Sequence, residues 1–68
     1  MKLRRTLARN VIKRRNALGY TQEELADLAG IDRSWLSRLE TTKSAVSVDI
    51  IEKVARGLGA APNELLVD

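Results

Sequence analysis

The sequence predicts an all-α domain built from five short helices. Apolar residues recur at intervals of three and four residues, which is the spacing of one face of an α-helix. Sustained alternation of apolar and polar residues, the pattern of a strand, is missing. Gly19, Gly30 and Gly59 each follow a periodic segment, as helix-ending glycines do. A chain of 68 residues has room for one small core, so we expect residues 1–68 to form a single compact domain.

The first two helices are indicated by their ends as well as by their apolar faces. Helix one is predicted over roughly 4–18 by an apolar stripe that comprises Leu7, Ala8, Val11, Ile12 and Leu18. Thr21 is expected to cap helix two, because Glu24 lies three residues further on and can reach back to the Thr21 N–H. The inner face of helix two is predicted to comprise Leu25, Leu28 and Ala29.

The remaining helices follow in close succession. Asp32 is a suitable N-cap for helix three, predicted over about 33–40. After a loop over 41–47, Ser47 is expected to cap helix four, whose core-spaced residues are Ile50, Ile51, Val54, Ala55 and Leu58. Pro62 favours the first position of a short last helix that continues through Leu65 and Leu66.

Basic charge is concentrated in the N-terminal third of the chain. Residues 1–22 carry seven basic side chains and no acidic one, whereas residues 23–68 carry five basic and nine acidic side chains. Such asymmetry indicates a polyanionic partner. On charge alone, an ordinary solvated helix face explains the same pattern equally well.

The composition argues against several classes of function. The chain has no cysteine and no histidine, which removes thiolate metal ligands and the commonest general base and metal ligand. It also has no glycine-rich phosphate loop and little room for a cleft, so we expect no enzyme activity, no metal, no cofactor and no small-molecule ligand. No apolar run approaches a membrane span and no signal peptide is recognisable. A cytoplasmic protein without membrane contact is therefore expected.

Helices two and three have the features of a helix-turn-helix motif. They are joined by a turn of about three residues that contains Gly30, and Ala26 is small enough for a close crossing. Ile31 is expected to fill the gap between them. On a helical wheel Leu36 and Leu39 lie on one side, and the opposite side presents Arg33, Ser34, Ser37 and Arg38. Such a helix fits the major groove of DNA, so these four residues are the predicted base contacts.

The segments TQEELADLAGIDRSWLSRLE (21–40) and SVDIIEKVARGLG (47–59) resemble the phage-repressor/Cro-type (Xre) helix-turn-helix family. The resemblance covers about residues 7–66 and implies a lambda-repressor-like fold that binds double-stranded DNA. It also implies that Gln22 contacts the DNA backbone, that Arg33, Ser34 and Arg38 read bases, and that Lys43 binds phosphate.

Phosphate contacts are expected around the recognition helix. The amide of Gln22 and the adjacent N–H groups at the start of helix two are placed to hold a phosphate. Basic residues of helix one and the loop after helix three are expected to add to them, and the full predicted set is Gln22, Lys43, Arg14 and Thr42. Compared with the family, Thr42 replaces a frequent Gly, Val46 replaces a frequent Pro, and Arg14 occupies a position that is more often aliphatic.

Three further side chains carry structural predictions. The periodicity of helix one turns Arg15 toward the inner stripe, where Glu40 is the candidate partner and the resemblance implies the same pair. The alternative is that Arg15 extends to solvent along its aliphatic stem. Tyr20 is expected to pack in the turn after helix one. Trp35 is expected to pack at the junction of helices two and three.

The end of the chain is unusually apolar. The residues concerned, Leu58, Pro62, Leu65, Leu66 and Val67, either cap the core or form a two-fold interface. We expect a homodimer on a palindromic operator, since two half-sites about 34 Å apart increase specificity. The predicted function is sequence-specific transcription regulation, and the DRSWLSRLE segment resembles restriction–modification controller proteins most. The alternative is an antitoxin or co-regulator that acts as a protein-binding module.

Overall fold

The computed structural model describes residues 2–41 and 46–67 and shows an all-helical fold. Four α-helices are followed by one turn of 3-10 helix, and their bounds are α1 Lys2–Ala17, α2 Gln22–Ala29, α3 Arg33–Thr41, α4 Val48–Leu58 and the C-terminal turn Pro62–Leu65. Within those two ranges no strand is present. The all-α prediction is confirmed, but the fifth helix is a 3-10 turn.

The ends of α2 and α4 follow the predicted local signals. At the start of α3 the Asp32 side chain forms no capping hydrogen bond with the described residues, and the Trp35 N–H donates instead to the Asp32 carbonyl oxygen at 3.0 Å. Thr21 Oγ1 accepts a hydrogen bond from the Glu24 N–H at 3.1 Å, and Glu24 Oε1 accepts one from the Thr21 N–H at 2.9 Å. Gly30 ends α2 with φ 70°, a left-handed conformation that glycine adopts without strain. Ser47 Oγ caps α4 by accepting from the Ile50 N–H at 3.2 Å. Ala61 has no side-chain oxygen to offer at the start of the C-terminal turn, consistent with its shortness.

The core is a single cluster to which every helix contributes. Its most deeply buried large side chains are Val11, Leu25, Leu36, Leu39, Val54 and Leu65. α2 packs mainly against α4, and α1 packs mainly against α3. Ile31 and Tyr20 pack against the edge of the cluster, as predicted. The molecule measures 27 × 20 × 18 Å.

Two leucines assigned to inner faces are exposed instead. Leu28 is 55% exposed, because the buried arc of α2 runs through Leu25, Ala26 and Ala29 and Leu28 lies about 100° from its centre. Leu18 lies beyond the last residue of α1, in the turn, and is 50% exposed.

Part of the predicted dimer interface is corrected by the burial of the C-terminal turn. Leu65 is 0% exposed and Leu58 is 7% exposed, so both belong to the core of this one chain and have almost no surface for a partner. The segment is held to α1 by Asn10, whose Nδ2 donates to the carbonyl oxygens of Leu65 and Val67, each at 2.8 Å. Pro62 and Val67 remain exposed and Leu66 is half-buried.

Within residues 2–41 and 46–67, every helix is too short or too polar to traverse a lipid bilayer.

The close crossing of α2 and α4 generates a first prediction, at Gly57. A Cβ atom at this position would lie 3.0 Å from Leu25 Cδ1 and 3.3 Å from the backbone nitrogen of Ala29. Gly→Ala within a helix ordinarily stabilises by about 0.5–1 kcal/mol, whereas forcing a methyl into a filled core costs about 1–3 kcal/mol. We expect Gly57→Ala to lower the free energy of unfolding by about 1 kcal/mol, measured by urea denaturation.

The Leu25→Val background is the control, because it removes the Cδ1 atom that the new methyl meets. The cost of Gly57→Ala should be smaller there. An increase in stability on Gly57→Ala in the parent chain would contradict the close crossing.

Candidate nucleic-acid interface

The two sides of α3 differ sharply in burial. Leu36 and Leu39 are fully buried and fix the inner side of the helix to the core. Arg33, Ser34 and Arg38 are exposed on the outer side, as predicted, whereas Ser37 is only half-exposed. α3 therefore presents two guanidinium groups and a hydroxyl to solvent.

An ion pair that connects α1 to α3 determines how α3 is held. Arg15 Nε donates to Glu40 Oε2 at 2.8 Å, and Arg15 Nη2 donates to Glu40 Oε1 at 3.1 Å. The side chains are 15% and 5% exposed, respectively, so the predicted partner is present and the alternative of a solvated Arg15 is wrong. Arg15 Nη1 also donates to the carbonyl oxygen of Tyr20 at 2.8 Å, which fixes the turn between α1 and α2.

Gln22 is joined to the same carboxylate. Its Nε2 donates to Glu40 Oε1 at 3.0 Å, a bond that the sequence reading did not identify. One of the two amide hydrogens is thereby used, and the other remains for a ligand. Gln22 borders a shallow depression together with Thr21 and Arg33. The structure thus brings a predicted phosphate contact next to a predicted base contact.

The other predicted phosphate contacts are placed differently. Arg14 Nη2 lies 3.4 Å from Glu64 Oε2 on the C-terminal turn. A phosphate would have to compete with that carboxylate, so Arg14 is better described as a partner of the C-terminal turn. Thr42 and Lys43 lie outside the described residues.

The position of Trp35 differs from the one predicted from the sequence. Its side chain is 40% exposed instead of packed within the α2–α3 junction, although it borders an open depression lined by Ala26 and Ile31. The Arg38 guanidinium carbon lies 5.4 Å from the centre of its ring. Such a cation–π contact at an exposed site is worth about 0.5–1 kcal/mol and restrains the arginine. The spacing of three residues on one helix was a signal for this contact.

Across residues 2–41 and 46–67, His, Cys, Asp and Glu side chains form no group of three that could hold an ion.

The geometry of α2, the Gly30 turn and α3 defines a helix-turn-helix protein. The sequence profile of the helix-turn-helix family matches residues 11–65, and the chain belongs to this family, which is one of transcription regulators and not of enzymes.

Three known proteins show the likeness in more detail. A protein of Neisseria meningitidis serogroup B described as a hypothetical transcription factor is 40% identical over 65 residues, covering 96% of this chain and 61% of the relative. A crystal structure of the Neisseria hypothetical transcription factor matches with a TM-score of 0.90, covering 96% of this chain and 75% of that one. The restriction–modification controller protein C.AhdI from Aeromonas hydrophila is 34% identical, with a TM-score of 0.88 over 96% of this chain and 98% of that chain. The N-terminal DNA-binding domain of SinR from Bacillus subtilis is 29% identical, with a TM-score of 0.87 over 94% of each chain.

The buried ion pair generates the second prediction. Glu40→Ala leaves the Arg15 guanidinium buried without a counter-charge, which costs about 3–5 kcal/mol. We expect a large drop in melting temperature, measured by circular dichroism. Glu52→Ala, which removes an exposed carboxylate from α4, is the matched control and should change stability by no more than about 0.5 kcal/mol.

A double variant that removes both charges of the Arg15–Glu40 pair tests the same explanation. Arg15→Met combined with Glu40→Leu should cost less stability than Glu40→Ala alone, since no charge is left unpaired. Equal melting temperatures for Glu40→Ala and Glu52→Ala would show that the pair does not stabilise the fold.

Proposed function

We propose that this protein is a sequence-specific transcription regulator that places α3 in the major groove of double-stranded DNA. The observation that carries the proposal is the outer side of α3. Arg33, Ser34 and Arg38 face solvent there, while two buried leucines and the Glu40 ion pair hold the helix. A rigid helix with projecting donors is what direct reading of base edges requires.

The predicted base-contacting residues of α3 have different parts in recognising the DNA sequence. Arg33 and Ser34 lie in the first turn of α3, the part of a recognition helix that reaches base edges. Arg38 lies one turn further along and is restrained by Trp35, which suits a bidentate contact to guanine worth about 1–3 kcal/mol of discrimination. Ser37 is half-buried, so its share of the contact is the smallest of the four.

Contacts to the DNA backbone come from residues outside α3. The free amide hydrogen of Gln22 and the N-terminal N–H groups of α2 are arranged to hold one phosphate. Lys43 and Thr42, which follow α3 in the sequence, supply the second phosphate contact. These contacts fix the position of α3 without reading sequence.

The active species is a homodimer on a two-fold operator. Two bodies of 27 × 20 × 18 Å can place two recognition helices one DNA turn apart, about 34 Å. Of the interface residues predicted from the sequence, the exposed or partly exposed ones carry the contact, and these are Pro62, Leu66 and Val67.

The regulator controls a restriction–modification operon and binds ahead of its own gene and the endonuclease gene. Support comes from the similarity to C.AhdI, a controller protein of such a system, whose chain this sequence covers almost completely.

Selection of bound duplexes from a random pool tests the proposed function. The expected product is a site with two related half-sites about one DNA turn apart, bound by two copies of the chain. Arg38→Ala should relax the preference at one base pair of each half-site, costing about 1–3 kcal/mol at that position. Arg56→Ala removes the same charge from the exposed side of α4 and should leave the preference unchanged. Equal binding of selected and scrambled duplexes would contradict the proposal and favour the protein-binding alternative.

Lys43→Ala should behave differently from Arg38→Ala. Because Lys43 is assigned to a phosphate, its loss should weaken all duplexes alike and flatten the dependence of affinity on salt concentration by about one unit of log–log slope. Affinities measured by fluorescence anisotropy at several salt concentrations give this slope. A changed base preference in Lys43→Ala would contradict its assigned role.

A further inference from the structure

The solvent side of α1 carries a row of basic side chains that the proposed contacts of α3 do not use. Lys2, Arg5, Arg9 and Lys13 are all exposed and follow one another at intervals of three and four residues; we call them the α1 basic face. At 100° per residue they lie about 120–180° around the helix from Val11, which is fully buried. α1 itself contains no acidic residue.

Two basic side chains on the other sides of α1 are paired with carboxylates. Arg14 and Arg15 are paired with Glu64 and Glu40. Lys2, Arg5 and Lys13 form no ion pair with any residue in the described ranges 2–41 and 46–67. The positive charges of these three side chains are thus not compensated by the described residues, and their mutual repulsion is unfavourable unless a polyanion neutralises it.

The dimensions of this face fit a nucleic-acid strand. At 1.5 Å per residue, the rise from Lys2 to Lys13 is about 16 Å, a length of duplex axis along which each strand carries about five phosphates. The face has no apolar side chain with which to enter a lipid surface, as an interfacial helix does.

The face lies on a different side of α1 from Arg15, which contacts α3, since its residues are about 80–160° around the helix from Arg15 at 100° per residue. Both α1 and α3 turn an apolar side to the same core and their basic side to solvent, and the inner side of α1 contacts α3 through Arg15 and Glu40. The α1 basic face is therefore a surface distinct from the outer side of α3.

We propose that the α1 basic face is a second, sequence-independent binding site for the phosphates of double-stranded DNA. The ligand is a second duplex. The α1 basic face is a separate site from α3, and it gives the protein the means to hold two duplexes together.

The test compares two double variants that remove identical charges. Arg5→Gln with Lys13→Gln takes one arginine and one lysine from the face, and Lys53→Gln with Arg56→Gln takes the same pair from the exposed side of α4. In the first arm, protein is bound to an immobilised short duplex that carries the selected site, and capture of a second, fluorescent duplex of unrelated sequence is measured. In the second arm, affinity for the short duplex is compared with affinity for the same site with long flanks.

The expected result is that the Arg5/Lys13 variant keeps its affinity for the short duplex within about twofold and loses about two units of salt slope at the second contact. Loss of capture supports a second duplex as the ligand, whereas loss of only the extra affinity for long flanks would overturn it in favour of flanking DNA that bends back toward α1. Equal behaviour of the two double variants in both arms would overturn the proposal. Displacement of the second duplex by polyglutamate at a lower concentration of charge than by free duplex would also overturn it, in favour of an acidic protein.

The α1 basic face can be tested even if the proposed function is wrong. If no duplex sequence is selected, the same measurements are made on an arbitrary immobilised duplex with a chain that also carries Arg33→Ala and Arg38→Ala. Salt-dependent binding that persists there and requires Arg5 and Lys13 supports the α1 basic face, and its absence overturns it.

Discussion

The orientation of α3 depends on the carboxylate of Glu40. This one group accepts hydrogen bonds from Arg15 on α1 and Gln22 at the start of α2, while Arg15 also holds the Tyr20 carbonyl in the turn between those helices. Three helices and one turn are thus connected through a single charged cluster that is mostly buried. Because one cation balances one anion and most donors are satisfied, the cluster specifies a geometry at little net electrostatic cost.

A core this small leaves few other means of fixing the helices. Leucine and valine side chains fill the centre, but apolar contacts are non-directional and permit sliding. Direction comes from close backbone approach, where Gly57 of α4 lies against Leu25 and Ala29 of α2, and from polar connections such as Asn10 to the C-terminal carbonyls. The helix-turn-helix unit is therefore positioned from both sides, by α4 behind α2 and by α1 beside α3.

Sequence reasoning succeeded where the determining interactions are local. The Thr21 box, the Ser47 cap and the glycine at the end of α2 depend on residues within four positions, so the pattern sufficed. The partner of Arg15 was also predicted, because helical periodicity turned a guanidinium inward, where it needs a counter-charge, and the family resemblance implied Glu40. Leu28, Trp35 and Leu65 were misplaced because their burial depends on which neighbouring helix covers them. The spacing along one helix contains no information on that point. The bond from Gln22 to Glu40 was missed for the same reason.

The position of Trp35 gives the molecule a built-in optical probe. It is the single indole of the chain, it is partly open to water, and it lies on the same short helix as the side chains assigned to reading bases. A ligand that contacts Trp35, or that draws Arg38 away from its ring, changes the solvation of the indole, whereas a ligand held only by the α1 basic face touches neither residue. Emission from the unlabelled protein therefore distinguishes occupancy at one location from occupancy at the other.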